Sequence, residues 1–502
     1  MGDTTPNACA RPRPPGEKPL LALVVALVFL SAVTQVTTPD TFIHLSLGRW
    51  MWENGTIPLT NLLSFTQPER AATDHEWLFQ AALYGAWRLV GISGATLLKA
   101  ALVAAAFGLV LATALRKGSG VVVACLVVLV AAAAARFRFT LRPQVVAMLL
   151  LSACLFAFER WRQGRPRWLV VLPPLQVLWA NFHGSAAFGC GLMLACAAAE
   201  TLRHYGLRIA DCGLKSANGD RKSEISSRLL WLWATALALF PATMLNPNGI
   251  GQLTFPFSHA AAQSELGLKE LLLDRASIKW ADLGGRHIFF ALLCVGAIPA
   301  LRGWWVSRDI TEAGLFAGLL CAAMHSERFI ELFAVAAAPI VASGIGRLRS
   351  AECGMRNVKR AAVSAAMCVA LAVIGILHGS PALPFGVGIA PGFFPEEEVA
   401  WIQQNHPHGN LFNEFEHGGY IYWTARRPVF LDSRGMPSYA PAFVRDYVDM
   451  WTSRERWRQV LDRHDISVAL VERRPLKAMF ATDPAWRLAY QGPVSSVYVR
   501  KP

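Results

Sequence analysis

The sequence predicts a polytopic α-helical membrane protein with about eleven transmembrane helices and a C-terminal soluble α/β domain. Three observations support this prediction. Apolar runs of near-spanning length recur along the first three quarters of the chain, short Lys- and Arg-rich clusters separate them, and both patterns stop near residue 378. In addition, 54% of the 502 residues are hydrophobic and 16% are charged, whereas a soluble domain usually carries about 25% charged residues.

Each predicted span is an apolar run with polar or basic residues at its ends. The runs cover residues 20–36, 95–115, 121–135, 145–158, 168–180, 185–202, 229–245, 287–301, 311–323, 329–345 and 361–377. Several are shorter than the roughly 20 residues that a span needs, so their limits are approximate. The first run follows basic residues, as in a signal peptide, but it reaches spanning length without a clear cleavage motif. An uncleaved first helix is therefore predicted.

The basic residues predict the orientation of the chain. The formal net charge is +14, and most Lys and Arg residues lie between apolar runs. This placement indicates a topology signal, so no nucleic-acid partner is expected. If the N-terminus is cytoplasmic, the cytoplasmic loops hold the basic clusters at 116–117, 160–167, 203–228, 302–308 and 347–360. An odd number of spans then places the C-terminal domain outside the cytoplasm.

Two domains are predicted. Residues 1–378 form the transmembrane domain, which includes a first external loop at 37–94, and residues 379–502 form the extracytoplasmic α/β domain. Within the loop, apolar residues at helical spacing predict helices at 42–52 and 77–90, and Gly91 and Gly94 break the second.

The C-terminal domain shows alternating strand and helix patterns, which are typical of a small α/β fold. A helix is predicted directly after Pro395, with acidic residues in its first turn. The predicted strands cover residues 410–415, 428–432, 466–472 and 495–500. Two further helices are predicted at 443–451 and 454–463.

Acidic residues bracket the first external loop. Asp40 directly follows the first span, and Asp74 and Glu76 precede the helix at 77–90. Because both ends of the loop return to the membrane, these carboxylates can meet around one site. Paired carboxylates suit general-base catalysis, or binding of a divalent cation that carries a phosphate. Helix capping accounts for the same residues equally well.

Arginines predicted on the same side of the membrane are candidates for binding a phosphate, because the planar fork of arginine holds two oxygens. These arginines are Arg136, Arg138, Arg142 and Arg328. Three histidines on that side are further candidates for binding the substrate: His44, which shares a helix face with Asp40, His75 and His183. Contact with lipid headgroups is the alternative for His44, and a turn that ends a span is the alternative for His183. Contact with lipid headgroups is the alternative for the three arginines at 136–142. In the C-terminal domain, Asp432 and Arg434 follow an apolar strand, where α/β sheets bind ligands. A salt bridge that only fixes the loop is the alternative there.

Two stretches of the sequence are similar to a known family. The first loop contains Pro39-Asp40-Thr-Phe-Ile-His44-Leu, Ile57-Pro58-x-x-Asn61-x-x-Ser64-Phe-Thr66 and His75-Glu76-Trp77-Leu. The C-terminal domain contains Gly418-Gly-Tyr-Ile-x-Trp423 and Phe430-Leu-Asp432-x-Arg434. Both resemble bacterial polytopic membrane proteins of the GT-C-fold glycosyltransferase group. Related to that group are the protein mannosyltransferases, the lipid A aminoarabinose transferase and the RgtA/B/C/D-like proteins.

The resemblance implies an inverting glycosyltransferase in the bacterial cytoplasmic (inner) membrane. Such an enzyme takes a sugar from a polyprenyl-phosphate donor and passes it to a glycan, lipid or protein acceptor at the outer face. It also implies that Asp40 acts as the base or as a metal ligand. Many relatives carry a second acid directly after this position, where Thr41 stands here. Asp74 or Glu76 would then supply the second acid, and a divalent metal is left open as a cofactor.

Two other functions remain open from the sequence. The first is a transporter or flippase for a lipid-linked glycan, which would need ionisable groups deep within the spans. The second is a non-catalytic membrane protein whose α/β domain binds a glycan or a partner protein.

Overall fold

A computed structural model describes residues 17–72, 74–210, 219–257, 278, 283, 287–307, 309–349, 383–406, 408–435 and 438–502. These residues are mostly helical and include one small sheet. Five of their helices are long and apolar enough to cross a membrane: Trp77–Arg116, Val121–Arg138, Gln144–Arg162, Ala186–Tyr205 and Glu327–Gly346. The predicted span at 361–377 lies outside the described residues, and the total of about eleven spans stays a prediction.

The first part of the chain is a bundle of helices. Its α-helices are α1 (Glu17–Ser31), α2 (Asp40–Asn54), α3 (Trp77–Arg116), α4 (Val121–Ala135), α5 (Gln144–Arg162), α6 (Leu172–Phe182), α7 (Ala186–Ala210), α8 (Gly219–Met244), α9 (Ile288–Val295), α10 (Ile298–Ser307), α11 (Ile310–His325) and α12 (Ile330–Arg349). Helix α4 is apolar on every side and packs against α1, α3, α9 and α12. An all-round apolar helix is typical of a buried helix or a membrane span, and α4 contacts helices of the bundle on several sides.

The two helices predicted in the first loop are present. Helix α2 begins at Asp40, and α3 begins at Trp77. Instead of ending near residue 90, α3 bends at Gly91, which has φ of 65° and ψ of −177°, and continues to Arg116. Glycine tolerates this left-handed φ because it has no Cβ. The predicted break is therefore a bend that joins a loop helix to a membrane-length helix.

The loops between the helices separate into the two groups that the charge pattern predicts. At one end, Asp40 pairs with Arg142 and His183 lies beside Glu76. At the other end, Arg162 pairs with Asp309 and with Glu200, which lies near the end of the predicted span 185–202. Arg162 belongs to a basic cluster predicted on the opposite side. The compartment that each end faces stays a prediction.

The C-terminal segment forms a four-stranded mixed sheet with helices around it. Its elements are α13 (Glu396–Asn405), β1 (Asn410–Asn413), α14 (Gly418–Ala425), α15 (Pro441–Asp449), α16 (Arg454–Arg463), β2 (Ile466–Val471), α17 (Arg474–Thr482), β3 (Trp486–Gln491) and β4 (Ser496–Arg500). The strand order is β1-β2-β4-β3. Strands β1 and β2 are parallel, and the other two pairs are antiparallel.

One predicted strand is absent from the sheet. Residues 428–432 form only an isolated bridge, in which Val429 pairs with Ser64 of the first loop. The amide of Val429 donates to the Leu63 carbonyl at 2.9 Å, and the amide of Phe65 donates to the Val429 carbonyl at 3.2 Å. The prediction of a sheet strand was wrong because the partner of this segment is a distant loop. Strand β3 and helix α17 were not predicted.

The C-terminal segment packs directly on the first loop. Phe42 of α2 lies edge-on to Phe394 and Tyr420, with ring centroids 4.8 Å and 5.0 Å apart. These rings share one buried core with residues of α3 and the sheet. The packing holds the start of α2 against α14 and the segment directly before α13.

Candidate functional site

Asp40 lies at the start of α2 and does not cap it. Pro39 is the N-cap residue, and no side chain caps this helix end. Instead, one carboxylate oxygen of Asp40 lies 2.6 Å from Nη2 of Arg142. The other oxygen accepts a hydrogen bond from the hydroxyl of Ser433. The two partners come from distant parts of the chain, so tertiary contacts hold this carboxylate in place.

Asp74 closes a turn directly before α3, whose N-cap residue is Glu76. Its Oδ1 accepts hydrogen bonds at 3.0 Å from the Glu76 amide and from Nε2 of Gln80. Its Oδ2 is buried and has no hydrogen-bond partner among the described residues. Burial raises the pKa of Asp74, and the bond from the Glu76 amide only partly opposes this shift. One oxygen of Asp74 therefore accepts two hydrogen bonds, and the other is available to bind a proton or a ligand.

Glu76 is surrounded by three imidazoles. Its carboxylate oxygens lie 3.9 Å, 3.6 Å and 3.8 Å from Nε2 of His44, His75 and His183, respectively. Burial by itself would raise the pKa of Glu76, but the histidines, His75 above all, hold it well below its usual range. This acid is therefore ionised at neutral pH.

The three histidines differ in their protonation. Burial lowers the pKa of His183 to about 4 and also lowers the pKa of His44. Burial acts on His75 in the same direction, but its pKa is raised because the charge of Glu76 outweighs that effect. His75 is therefore the imidazole whose protonated form Glu76 favours.

One cavity of about 1260 Å³ brings most of the predicted site residues together. Its polar end is lined by Asp40, His44, Asp74, His75, Glu76, Arg138, Arg142, His183, Arg328 and Arg434. Glu331, an acid within a membrane-length helix, also lines this end, and its carboxylate lies 3.4 Å from Nε of Arg138. Acidic, basic and imidazole groups therefore line the same cavity.

Two predicted residues do not line the cavity. Arg136 is buried, and its guanidinium donates at 3.3 Å to the carbonyls of Ser31 and Leu383. Asp432 is fully buried. Its carboxylate accepts from Nε and Nη2 of Arg434, at 2.8 Å and 2.6 Å. The sequence cannot show these orientations, and neither placement favours direct contact with a ligand.

Arg434 does reach the cavity, and its guanidinium is fixed on two sides. Asp432 holds it from the C-terminal segment, and Oδ1 of Asn61 in the first loop accepts from Nη2 at 2.5 Å. Asn61 also donates to the Ser438 carbonyl at 3.0 Å. The salt bridge expected as an alternative therefore exists, and it orients Arg434 toward the cavity.

The apolar end of the cavity is a groove between α7 and α11. Its wall includes Gly191, Ala195 and Ala199 on α7, and Gly314 and Gly318 on α11. A Cβ added at any of the three glycines would meet no atom within 4 Å. From residue 310 to residue 325, α11 extends about 22 Å at 1.5 Å per residue. The groove therefore runs along most of the hydrocarbon thickness, which is about 30 Å.

Sequence reasoning missed two polar residues of the site. Glu331 had a signal, since an acid within an apolar run often marks a functional position. Ser433 had none, because a serine in a loop is ordinary and only the tertiary fold places it beside Asp40. The groove was also missed, because its glycines are common in membrane helices.

Three solved structures are similar to this chain in fold. The apo oligosaccharyltransferase of Archaeoglobus fulgidus has a TM-score of 0.61 and 10% identity, and the match covers 91% of this chain and 69% of that chain. ArnT from Cupriavidus metallidurans, bound to undecaprenyl phosphate, has a TM-score of 0.56 and 13% identity, with 96% of this chain and 98% of that chain covered. The arabinofuranosyltransferase AftD from Mycobacteria has a TM-score of 0.52 and 13% identity, with 96% of this chain and 41% of that chain covered. No family model and no curated protein matches the sequence.

The likeness covers both the helical bundle and the C-terminal segment, since it extends over 91% or more of this chain in all three cases. At 10–13% identity, it concerns the fold. The resemblance seen in the sequence is confirmed at that level. The chain is a membrane protein with the GT-C-like fold that these transferases share.

Proposed function

We propose that this protein is a membrane glycosyltransferase that moves a sugar from a polyprenyl-phosphate donor to a glycan, lipid or protein acceptor. The observation that carries the proposal is a single cavity with a charged end and a long apolar groove. A lipid-linked sugar is divided in the same way. Its phosphate and sugar would fit the charged end of the cavity, and its apolar lipid chain would fit the groove.

The charged end suits the phosphate of the donor. Arg138 and Arg142 line it from the connection between α4 and α5, and Arg328 lines it from the connection between α11 and α12. Arginine binds phosphate oxygens in a fork, and a low-dielectric site strengthens this attraction. Two neighbours in fold add support, because ArnT holds undecaprenyl phosphate and an archaeal oligosaccharyltransferase holds a dolichol phosphate together with an inhibitory peptide.

Asp40 is the proposed base. It removes the proton from an acceptor hydroxyl, and that oxygen attacks the anomeric carbon of the sugar. The bond from the anomeric carbon to the phosphate oxygen breaks, the configuration inverts, and the arginines hold the negative charge of the departing polyprenyl phosphate.

A divalent metal is compatible with the site only in part. Asp74 and Glu76 are the carboxylates that could hold one, and a structure of the archaeal oligosaccharyltransferase contains zinc and sulfate. However, the described residues contain no group of three or more His, Cys, Asp or Glu side chains arranged for a metal ion. The proposed reaction therefore includes no step that depends on a metal.

The proposed location of the reaction is the outer face of the bacterial cytoplasmic membrane. The positive-inside pattern supports it, because the polar end of the cavity is formed by loops that are poor in Lys and Arg except at 136–142. Residues 379–502 would then be an extracytoplasmic domain above the site.

Transport of a lipid-linked glycan is less well supported. A path through the membrane would have to continue beyond the inner end of the groove. There, Arg162 pairs with Glu200, Asp309 and Glu312 at 3.1 Å, 2.5 Å and 3.2 Å. This layer of buried ion pairs closes the bundle at the end opposite the polar site.

The proposal predicts that Asp40→Asn folds normally and loses sugar transfer. Purified protein in liposomes would be given a panel of synthetic undecaprenyl-phosphate monosaccharides, with extracted envelope lipids and glycans as acceptors. Loss of a general base should slow transfer by about 100-fold or more, while affinity for undecaprenyl phosphate stays near that of the wild type.

Asp449→Asn is the matched control, because Asp449 is exposed and lies outside the cavity lining. This variant should transfer sugar at the wild-type rate. Two results would reject the proposal: a wild-type protein that consumes none of the donors, or an Asp40→Asn variant as fast as the wild type.

A further inference from the structure

The two contacts that hold Asp40 are of different kinds. Arg142 carries a positive charge and lines the end of the cavity proposed to receive the donor phosphate. Ser433 is neutral and donates a single hydrogen bond. When a phosphate enters, it competes with Asp40 for the Arg142 guanidinium. The contact with Ser433 is the one that a phosphate does not compete for.

The backbone on each side of Ser433 is firmly anchored. Asp432 accepts a hydrogen bond from the Arg434 amide at 3.0 Å, which closes a tight turn around Ser433. Asp432 also accepts from the hydroxyl of Tyr439 at 2.9 Å. Since Asp432 and Tyr439 are both fully buried, this turn cannot easily move relative to the C-terminal segment.

The C-terminal segment is in turn closely packed against the start of α2. A Cβ on Gly419 would lie 3.0 Å from the Pro39 carbonyl and 3.1 Å from the Ile43 amide. A Cβ on Gly418 would lie 2.9 Å from Cα of Asp432. The first turn of α14 therefore fits between α2 and the Ser433 turn, and it sets the distance from Asp40 to Ser433.

We infer that Ser433 is a positioning residue for the proposed base, so that the C-terminal segment completes the active site. After Arg142 turns to the donor phosphate, the Ser433 hydroxyl keeps one carboxylate oxygen of Asp40 occupied and directs the other to the acceptor hydroxyl. The acceptor proton moves to that second oxygen, and Ser433 retains its own proton throughout. This inference rests on the proposed glycosyl transfer.

The test compares Ser433→Ala, Ser433→Thr and a matched control, Ser46→Ala. Ser46 is buried on the same helix as Asp40, and its hydroxyl has no hydrogen-bond partner among the described residues. All variants would be assayed in liposomes with the undecaprenyl-phosphate monosaccharide that the wild type consumes fastest.

We expect Ser433→Ala to lower kcat by about tenfold, the effect of losing one hydrogen bond to a charged group, with an unchanged KM for the donor. Ser433→Thr keeps the hydroxyl and should restore most of kcat. Ser46→Ala should match the wild type. Thermal unfolding of each variant separates a loss of fold from a loss of positioning, and the Thr variant gives the answer if Ser433→Ala is unstable.

Three outcomes would overturn the inference while leaving glycosyl transfer in place. They are a wild-type kcat for Ser433→Ala, a well-folded Ser433→Thr that is no faster than Ser433→Ala, and a loss expressed entirely in the donor KM. A wild-type protein that consumes no donor overturns the proposed function as well, and the two failures can therefore be distinguished.

Discussion

Glu76 is a half-buried acid, and two of its histidine neighbours have pKa shifts of opposite sign. His75 and His183 both approach the same oxygen of Glu76, at 3.6 Å and 3.8 Å. Burial disfavours the charged imidazole in both residues. At His75 the negative charge of Glu76 outweighs this effect and raises the pKa, whereas at His183 burial prevails and lowers the pKa to about 4. At the residue scale, two chemically identical side chains therefore have pKa shifts of opposite sign because their surroundings differ.

This difference predicts a pH dependence of stability. Because the pKa of His75 is raised above 6.5 in the folded state, its contribution is fully present below pH 6.5 and is lost as the pH rises through the folded value. Thermal unfolding in detergent, measured from about pH 6 to about pH 9 and so on both sides of the unperturbed histidine pKa, should show this decline.

His75→Gln should flatten that decline, because it removes the group that titrates. His183→Gln is the matched control: the pKa of His183 is lowered to about 4, so it stays neutral throughout the range and the decline should persist. An equal decline in wild type and His75→Gln would show that another group titrates there.

Helix α11 forms one wall of the groove with glycines on a single face. Gly314 and Gly318 are four residues apart, so they lie one above the other along the helix. Both face open space, since a Cβ at either position would meet no atom within 4 Å. At the element scale, the width of the groove therefore depends on the absence of side chains along α11.

Gly318→Leu should fill the groove without disturbing the bundle. A buried leucine excludes lipid-chain contacts worth about 1.5–3 kcal/mol, so affinity for undecaprenyl phosphate should fall by about tenfold or more. Gly108→Leu is the matched control, because Gly108 also faces open space but lies on α3, away from the cavity lining. Unchanged affinity in Gly318→Leu would place the lipid chain elsewhere.

The whole molecule is a bundle with different chemistry at its two ends. The polar cavity lies at one end, and Arg162 with its three carboxylates lies at the other. Glu200 belongs to α7, and Glu312 belongs to α11, the same two helices that form the groove. The ion pairs therefore hold the groove helices together at the end where no ligand separates them.

Arg162→Met should destabilise the protein by about 3–5 kcal/mol, because it leaves three buried carboxylates without their shared partner. Arg165→Met, at an exposed position nearby, should have little effect. Chemical denaturation in detergent measures both. If the two variants are equally stable, the network does not hold the groove helices together.

Local patterns in the sequence predicted many of the elements. Helix α4 matches its continuous apolar run at 121–135, and α16 matches the helical pattern predicted at 454–463, because both patterns are visible in a short window. The strand predicted at 428–432 failed for the opposite reason. Its apolar pattern is correct, but its hydrogen-bond partner lies in the first loop, more than 350 residues earlier.

The same limit applies to the site. Sequence could predict that Asp40, Arg142 and His183 lie at one end of the bundle, because the alternation of spans assigns every loop to an end. It could not predict that Arg136 turns away to bind backbone carbonyls, or that Asp432 is buried beneath Arg434. Side-chain direction depends on packing partners that are remote in the chain.

The sequence by itself determined that this chain lies in a membrane, which loops share an end of the bundle, and which charged residues stand at that end. Each of these follows from hydrophobicity and charge, which act on the chain locally. Only the tertiary structure decided that Asp40 is held between Arg142 and Ser433, and that an apolar groove opens beneath it. These features require segments about 100 and 390 residues apart to pack together, and contacts at that range leave no periodic signal in the sequence.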